Sequence, residues 1–166
     1  MKLIVPEANR TFVAERLAID PSLPIGIDDR GEAEVAGFHF TGVPSAHEEV
    51  SNQYMGYVIR FGRWTIYHPG DTVLYPGMAD RLKGFAIDVA MLPINGRAPE
   101  RRVAGNLDGR EAAGLAKEIG AGLVIPCHYE MFEFNTASPD EFVAEARRLQ
   151  QPHRVLRCGE RWSSSE

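Results

Sequence analysis

Tyr67-His68-Pro69-Gly70-Asp71-Thr72 is the stretch on which the reading of this chain turns. Just upstream, Trp64-Thr65-Ile66-Tyr67 has the β-branched and aromatic character of a strand. Pro69-Gly70 cannot extend it, because proline lacks the amide hydrogen of a ladder and glycine opens a turn. Asp71 is therefore expected on a loop held by a stiff strand. Two other stretches have the same order, an apolar strand, a proline and then a histidine: Phe40-Thr41-Gly42-Val43-Pro44-Ser45-Ala46-His47 and Leu123-Val124-Ile125-Pro126-Cys127-His128. Imidazole and carboxylate groups delivered by separate rigid elements are what a divalent cation needs, since their ordering entropy is then lost on folding and not on binding.

Outward from this centre, the chain reads as alternating strands and helices. Leu3-Ile4-Val5 is a short strand, and Phe12, Val13 and Leu17 give the segment from Ala8 to Leu17 a helical spacing. The loop Asp20 to Gly26 ends that helix. Glu34–Thr41, Tyr54–Phe61 and Trp64–Tyr67 read as strands, the last two joined by a Gly62-Arg63 turn. Pro76 to Lys83 is a short helix, and Ile87 to Leu92 a buried strand closed by Pro93. The loop from Ile94 to Leu107 has no hydrophobic period, and unstructured connections of that length are usually functional. Asp108 with Glu111 predicts a capping box, followed by an apolar stripe of Ala112, Leu115, Ala116 and Ile119. Leu123-Val124-Ile125 is the next strand. Ser138 with Glu141 predicts a second capping box and a helix through Leu149, and Val155-Leu156-Arg157 a last strand. One domain is expected over residues 1–162, with 163–166 as a tail.

Composition narrows the function classes. A net charge of −5, with both signs mixed along 166 residues, offers no basic stripe for a phosphate backbone, so nucleic acid is not an expected partner. No apolar run approaches membrane-spanning length. Cys127 and Cys158 are read as reduced thiols, and the protein as cytoplasmic. Ser45 stands too close to His47 in sequence for a serine triad, and no Gly-x-Ser-x-Gly elbow or Gly-rich phosphate loop occurs.

Val43-Pro44-Ser45-Ala46-His47-Glu48, Tyr67-His68-Pro69-Gly70-Asp71-Thr72, Met91-Leu92-Pro93-Ile94-Asn95-Gly96-Arg97 and Val124-Ile125-Pro126-Cys127-His128-Tyr129, taken in this order, resemble the second half of a metallo-β-lactamase-fold hydrolase. The branch they are similar to is that of L-ascorbate 6-phosphate lactonase. The resemblance implies an α/β fold of the αββα-sandwich type with one or two divalent metals, Zn or Mn, at one edge. It implies His47, Asp71 and His128 as metal ligands, with Asp71 bridging and the two histidines on different metals. The His-x-His-x-Asp-His motif of such hydrolases is not among the 166 residues, whose histidines are 39, 47, 68, 128 and 153. The chain is accordingly expected to be the carboxy-terminal part of the fold and, alone, a poor catalyst.

Within that resemblance, metal-activated water would attack a lactone or ester of a small, possibly phosphorylated metabolite. Asp71 and His68 are the catalytic candidates, His68 either orienting a ligand or standing in solvent as a strand-end imidazole. Asn95 and Arg97 are substrate-binding candidates, against turn chemistry and a solvated guanidinium. Tyr129 is a third, as an oxyanion donor, against simple packing. Cys127 is expected in the core, and His39 and His153 at the surface. The alternative function is a non-catalytic half-domain that associates with itself or with a partner carrying the rest of the fold. A homo-oligomer is expected in either case, because half a sandwich leaves an apolar sheet face uncovered.

Overall fold

The computed structural model describes residues 2–102 and 104–164, so the part of the expected tail at 165 and 166 lies outside it. Its centre is a six-stranded sheet in the order β3-β4-β5-β6-β7-β8. The strands are β3 (Glu32–Val35), β4 (Phe38–His47), β5 (Glu49–Phe61), β6 (Trp64–His68), β7 (Val89–Pro93) and β8 (Leu123–Cys127). The pairs from β3 to β6 are antiparallel, and β6-β7-β8 are parallel. Because β5 alone separates β4 from β6, running against both, the carboxyl ends of β4, β6, β7 and β8 emerge at one rim of the sheet. Ligands in α/β sheets gather outside such carboxyl ends.

The two faces of the sheet differ. Val58, Tyr67, Ala90 and Val124 are successive partners across β5 to β8, and all four are buried. This row lies in the core cluster with residues of α2 (Met78–Leu82), α3 (Gly109–Glu118) and α4 (Asp140–Arg148), chiefly Met78, Leu82, Ala112, Leu115, Ala116 and Phe142. The adjoining row of Ile59, Ile66, Val89 and Leu123 points the other way, since side chains alternate along a strand, and three of its four members are only half-buried. Phe38 on the same face is 41% exposed and stacks on Phe61 at 5.0 Å. A short parallel ribbon, β1 (Leu3–Pro6) with β2 (Pro24–Ile27), is the only other sheet among the described residues. Leu3 and Ile4 face Phe38, Phe40 and Tyr57 across a cleft of about 450 Å³. The α/β class stands, with one six-stranded sheet and a two-stranded ribbon among the described residues.

Several local expectations are corrected. The strand read as Glu34–Thr41 is broken at Ala36-Gly37, both left-handed, which make the two-residue turn between β3 and β4. β2 takes up the last three residues, 24–26, of the segment read as a loop and runs on to Ile27. In α1 (Arg10–Leu17) two members of the supposed apolar stripe are exposed, Phe12 at 66% and Leu17 at 53%, Val13 is half-buried, and only Ala14 is buried. The capping box of Asp108 and Glu111 is present on α3. At α4 it is not: Ser138 bonds Asp140, and Glu141 pairs with Arg110 on α3 at 3.0 Å. The final strand is also absent. The chain touches β8 only where His153 bridges Val124, and the Leu156 carbonyl then accepts the Tyr129 hydroxyl. His153 is half-buried, its ring edge-on to Phe142 at 5.8 Å, and not a free surface residue. His39 is exposed beside Glu34.

Candidate metal centre

The rim is built by three turns. At the end of β6, Gly70 adopts φ +68°, a left-handed conformation that a side chain would strain, and its amide donates to His68 Nδ1 at 3.0 Å. The proton of the neutral ring is thereby placed on Nε2. Burial pushes the His68 imidazole below its ordinary value, with Asp71 opposing, so the ring is neutral at neutral pH. The turn is stapled to β4: Ser45 Oγ donates to the Pro69 carbonyl at 2.5 Å, Thr72 Oγ1 accepts the Ala46 amide at 3.0 Å, and Val73 N donates to the Ala46 carbonyl at 2.8 Å. Ser45 is thus a structural donor. Nothing in composition marks it or Thr72, although both lie inside the motifs that drew attention to their neighbours.

Asp71 and His128 meet. Asp71 Oδ1 stands 3.6 Å from His128 Nε2, too far for a hydrogen bond, with the carboxylate 45% and the imidazole 17% exposed. Two donors each about 2.1 Å from a tetrahedral cation stand about 3.4 Å apart, so the gap has the span of two ligands sharing one ion. The other ring nitrogen of His128, Nδ1, is buried without a partner. His128 itself has φ +57°, a conformation that costs a non-glycine residue about 1–3 kcal/mol and tends to persist at functional sites.

His47 ends β4 on the same rim, its ring edge-on to Tyr54 at 5.7 Å and its Nδ1 buried with no partner. Among the described residues, however, no group of three or more His, Cys, Asp or Glu side chains is placed to hold one ion. His47 lies two strands from β6, so Asp71 and His128 form a pair that His47 does not complete. The residues present therefore fit part of a ligand set.

The remaining candidates are occupied within the protein. Arg97 makes a two-pronged ion pair with Glu111, at 2.7 and 2.6 Å, and donates to the Asn106 carbonyl. Asn95 is buried; its amide donates to Asn135 Oδ1 at 3.0 Å and accepts from Asn106 at 2.8 Å. The Tyr129 hydroxyl is spent on Leu156. All three brace the rim through these bonds. Cys127 is half-buried, and burial pushes its thiol up to about 12. Arg101 and Asn135, unremarked in the sequence, tie the loop after β7 to the loop after β8.

A mixed sheet with ligand-type side chains at the shared carboxyl rim of its strands is the architecture of an α/β metallo-hydrolase fold. The chain belongs to the β-lactamase superfamily domain family, whose model matches residues 5–129. A protein of Rubrobacter xylanophilus named as a UPF0173 metal-dependent hydrolase is 34% identical over 144 residues, covering 79% of this chain and 55% of the relative. The corresponding Pyrococcus horikoshii protein is 31% identical over 68% of this chain and 49% of its own length. The chain thus spans about half the length of the curated relatives it matches. Among solved structures, Igni18, a metallo hydrolase from Ignicoccus hospitalis, superposes with a TM-score of 0.72 at 24% identity, covering 93% of this chain and 64% of that one. No helix among the described residues is long and apolar enough to cross a membrane.

Proposed function

We propose that this chain carries one side of the metal centre of a hydrolase acting on a lactone or ester of a small metabolite. The observation that supports it is the Asp71–His128 pair, 3.6 Å apart at the rim where four strand ends emerge together. What a divalent cation supplies when bound is acidity for water and polarisation of a carbonyl oxygen. Asp71 and His128 would hold it, and His47, on the same rim, would serve a second ion. His68 accepts the Gly70 amide and so braces the backbone turn that presents Asp71 at the rim.

The test is zinc and manganese titration of the purified chain by calorimetry. Binding that weakens at least tenfold in both Asp71→Ala and His128→Ala supports the reading. Unchanged affinity in both variants overturns it. Turnover of a lactone or ester by this chain alone is expected to be poor, because each ion would have only two protein ligands here and no His-x-His-x-Asp-His motif is present to complete either set.

A second reading, association of the chain through its open sheet face, is favoured by Phe38, Phe40 and Phe61 with the Ile59–Leu123 row. A monomeric mass by light scattering at all concentrations would refute it, and Phe38→Ser should shift an observed dimer toward monomer.

A further inference from the structure

The segment from Tyr129 to Ser138 follows His128 directly and contains neither helix nor strand. It displays three large apolar side chains to solvent, Met131 at 64%, Phe132 at 47% and Phe134 at 65% exposure. Scattered exposed apolar residues are ordinary, but these three lie within four positions of one another, just after the ligand candidate His128. The Phe132 ring lies 6.1 Å from the His128 ring and 6.4 Å from that of Phe134, so an aromatic strip leads away from the ligand pair.

The base of this segment is fixed although its tip is bare. Arg101 donates to the Asn95 carbonyl at 2.6 Å and to the Thr136 carbonyl at 2.9 Å. Asn95 reaches Asn135 from below, Asn106 holds Asn95, and Thr136 Oγ1 accepts the Glu130 amide. The left-handed backbones of His128 and Glu130 turn the chain so that Phe132 comes back over the imidazole. A loop held this firmly at its base has already lost most of the entropy that binding would otherwise cost. The cation-binding edge and the apolar strip then form two adjacent halves of one surface, one suited to a polar carbonyl and the other to the hydrocarbon attached to it.

We propose that Phe132 and Phe134, with Met131, determine specificity by receiving the aryl or acyl portion of the substrate while its carbonyl lies at Asp71 and His128. This rests on the hydrolase reading and narrows it to substrates with an apolar group, in place of a phosphorylated one. The commitment of Arg97 to Glu111 points the same way, since the guanidinium is not free for an anion.

Acetanilide, which joins a phenyl ring to an unreactive amide carbonyl, serves as the probe, with acetamide as its ring-free counterpart, both followed by saturation-transfer NMR on the metal-free chain. Acetanilide should bind and acetamide should not. Phe132→Ala and Phe134→Ala should each weaken acetanilide roughly tenfold; Phe132→Leu should retain part of the affinity, and the circular dichroism spectra should not change. Zinc affinity of Phe132→Ala and Phe134→Ala, by contrast, should stay within about twofold of the wild type. That separates the two readings, because loss of metal binding tests the hydrolase centre and loss of phenyl binding tests the strip. No acetanilide binding to the wild-type chain, or undiminished, wild-type binding by both phenylalanine variants, overturns the proposal.

Discussion

Replacing Gly56 by alanine tests whether the position of Asp71 is set by backbone packing. Gly56 on β5 lies beside Pro69 at the end of β6, and a Cβ there would stand 2.5 Å from Pro69 Cα and 3.0 Å from the His68 carbonyl oxygen. Ordinary carbon–carbon contact begins near 3.5 Å, so β5 or the Pro69-Gly70 turn must yield by about 1 Å. Both obstacles are backbone and cannot rotate aside. Overpacking of this kind costs about 1–3 kcal/mol, offset in part by the ~0.4–1 kcal/mol that alanine contributes by stiffening the unfolded chain. Asp71 is two residues past Pro69, so a 1 Å shift of the turn takes the 3.6 Å gap to His128 out of the range one ion can bridge. Urea denaturation should show net destabilisation of about 1–2 kcal/mol, and zinc titration a loss of at least tenfold, which is about 1.4 kcal/mol. Gly84→Ala is the matched control, since nothing lies within 4 Å of its added carbon; it should change stability by no more than about 0.5 kcal/mol and leave zinc binding alone. Gly56→Ala with wild-type stability and wild-type zinc affinity would refute the argument.

His128→Asn keeps a residue that tolerates the left-handed backbone but removes the imidazole. Its melting temperature should equal or exceed that of the wild type while zinc binding disappears, so a strongly destabilised variant would contradict the strain assigned to this position. Arg101→Leu removes the donor that joins Asn95 to Thr136; phenyl-probe binding should weaken several-fold with global stability lowered by about 1–2 kcal/mol, measured by NMR and urea titration. For pH, the hydrogen bond from Arg97 holds the Glu111 carboxyl below its ordinary 4.5, with burial opposing and the Asp108 amide assisting. A depressed carboxylate contributes stability above its unfolded value and loses it as pH falls through the folded one. Thermal scans should thus show the wild type losing stability below about pH 4.5 more steeply than Glu111→Gln, whose amide keeps the cap but not the ion pair. At neutral pH the substitution should cost no more than about 1 kcal/mol, as Arg97 is half exposed.

The parts of the fold legible in the sequence were those with one local cause. Pro69-Gly70 ends β6 because of its own stereochemistry, and Asp108 caps α3 because Glu111 follows at the right distance. Ser138 and Glu141 have the same spacing and fail, because Arg110 on the neighbouring helix competes for Glu141 and Pro139 takes the cap position. α1 misled for a related reason: its apolar residues have helical spacing, but nothing among the described residues covers Phe12 or Leu17. At the rim, strand ends marked His47, Asp71 and His128 alike, and only the fold shows that Asp71 meets His128 without His47; the roles of Arg97, Asn95 and Tyr129 could not be assigned from strand ends. Each has a side chain able to meet a substrate, and only the tertiary fold shows that Glu111, Asn135 with Asn106, and Leu156 already hold them.

That redistribution of roles has a physical logic. A cation site needs donors whose lone pairs are left open by the protein, while the groups around it must be fully bonded to stay still. Arg97, Asn95 and Tyr129 are bonded to neighbouring loops, whereas His128 Nε2 faces Asp71 without a hydrogen bond and His47 Nδ1 is buried without a partner. Asp71 is kept open in the same way: its turn is held by Ser45, Thr72 and His68 through bonds to backbone atoms on either side, so none of them consumes its carboxylate oxygens. The separation of open donors from satisfied braces distinguishes this corner from the other charged clefts of the molecule, such as that between α3 and α4, where Arg110 pairs with Glu141 and Arg148 with Glu145. In that cleft the two arginines are each held by a carboxylate. At the rim, a carboxylate and an imidazole are held 3.6 Å apart without bonding, and their remaining affinity is directed at whatever enters between them.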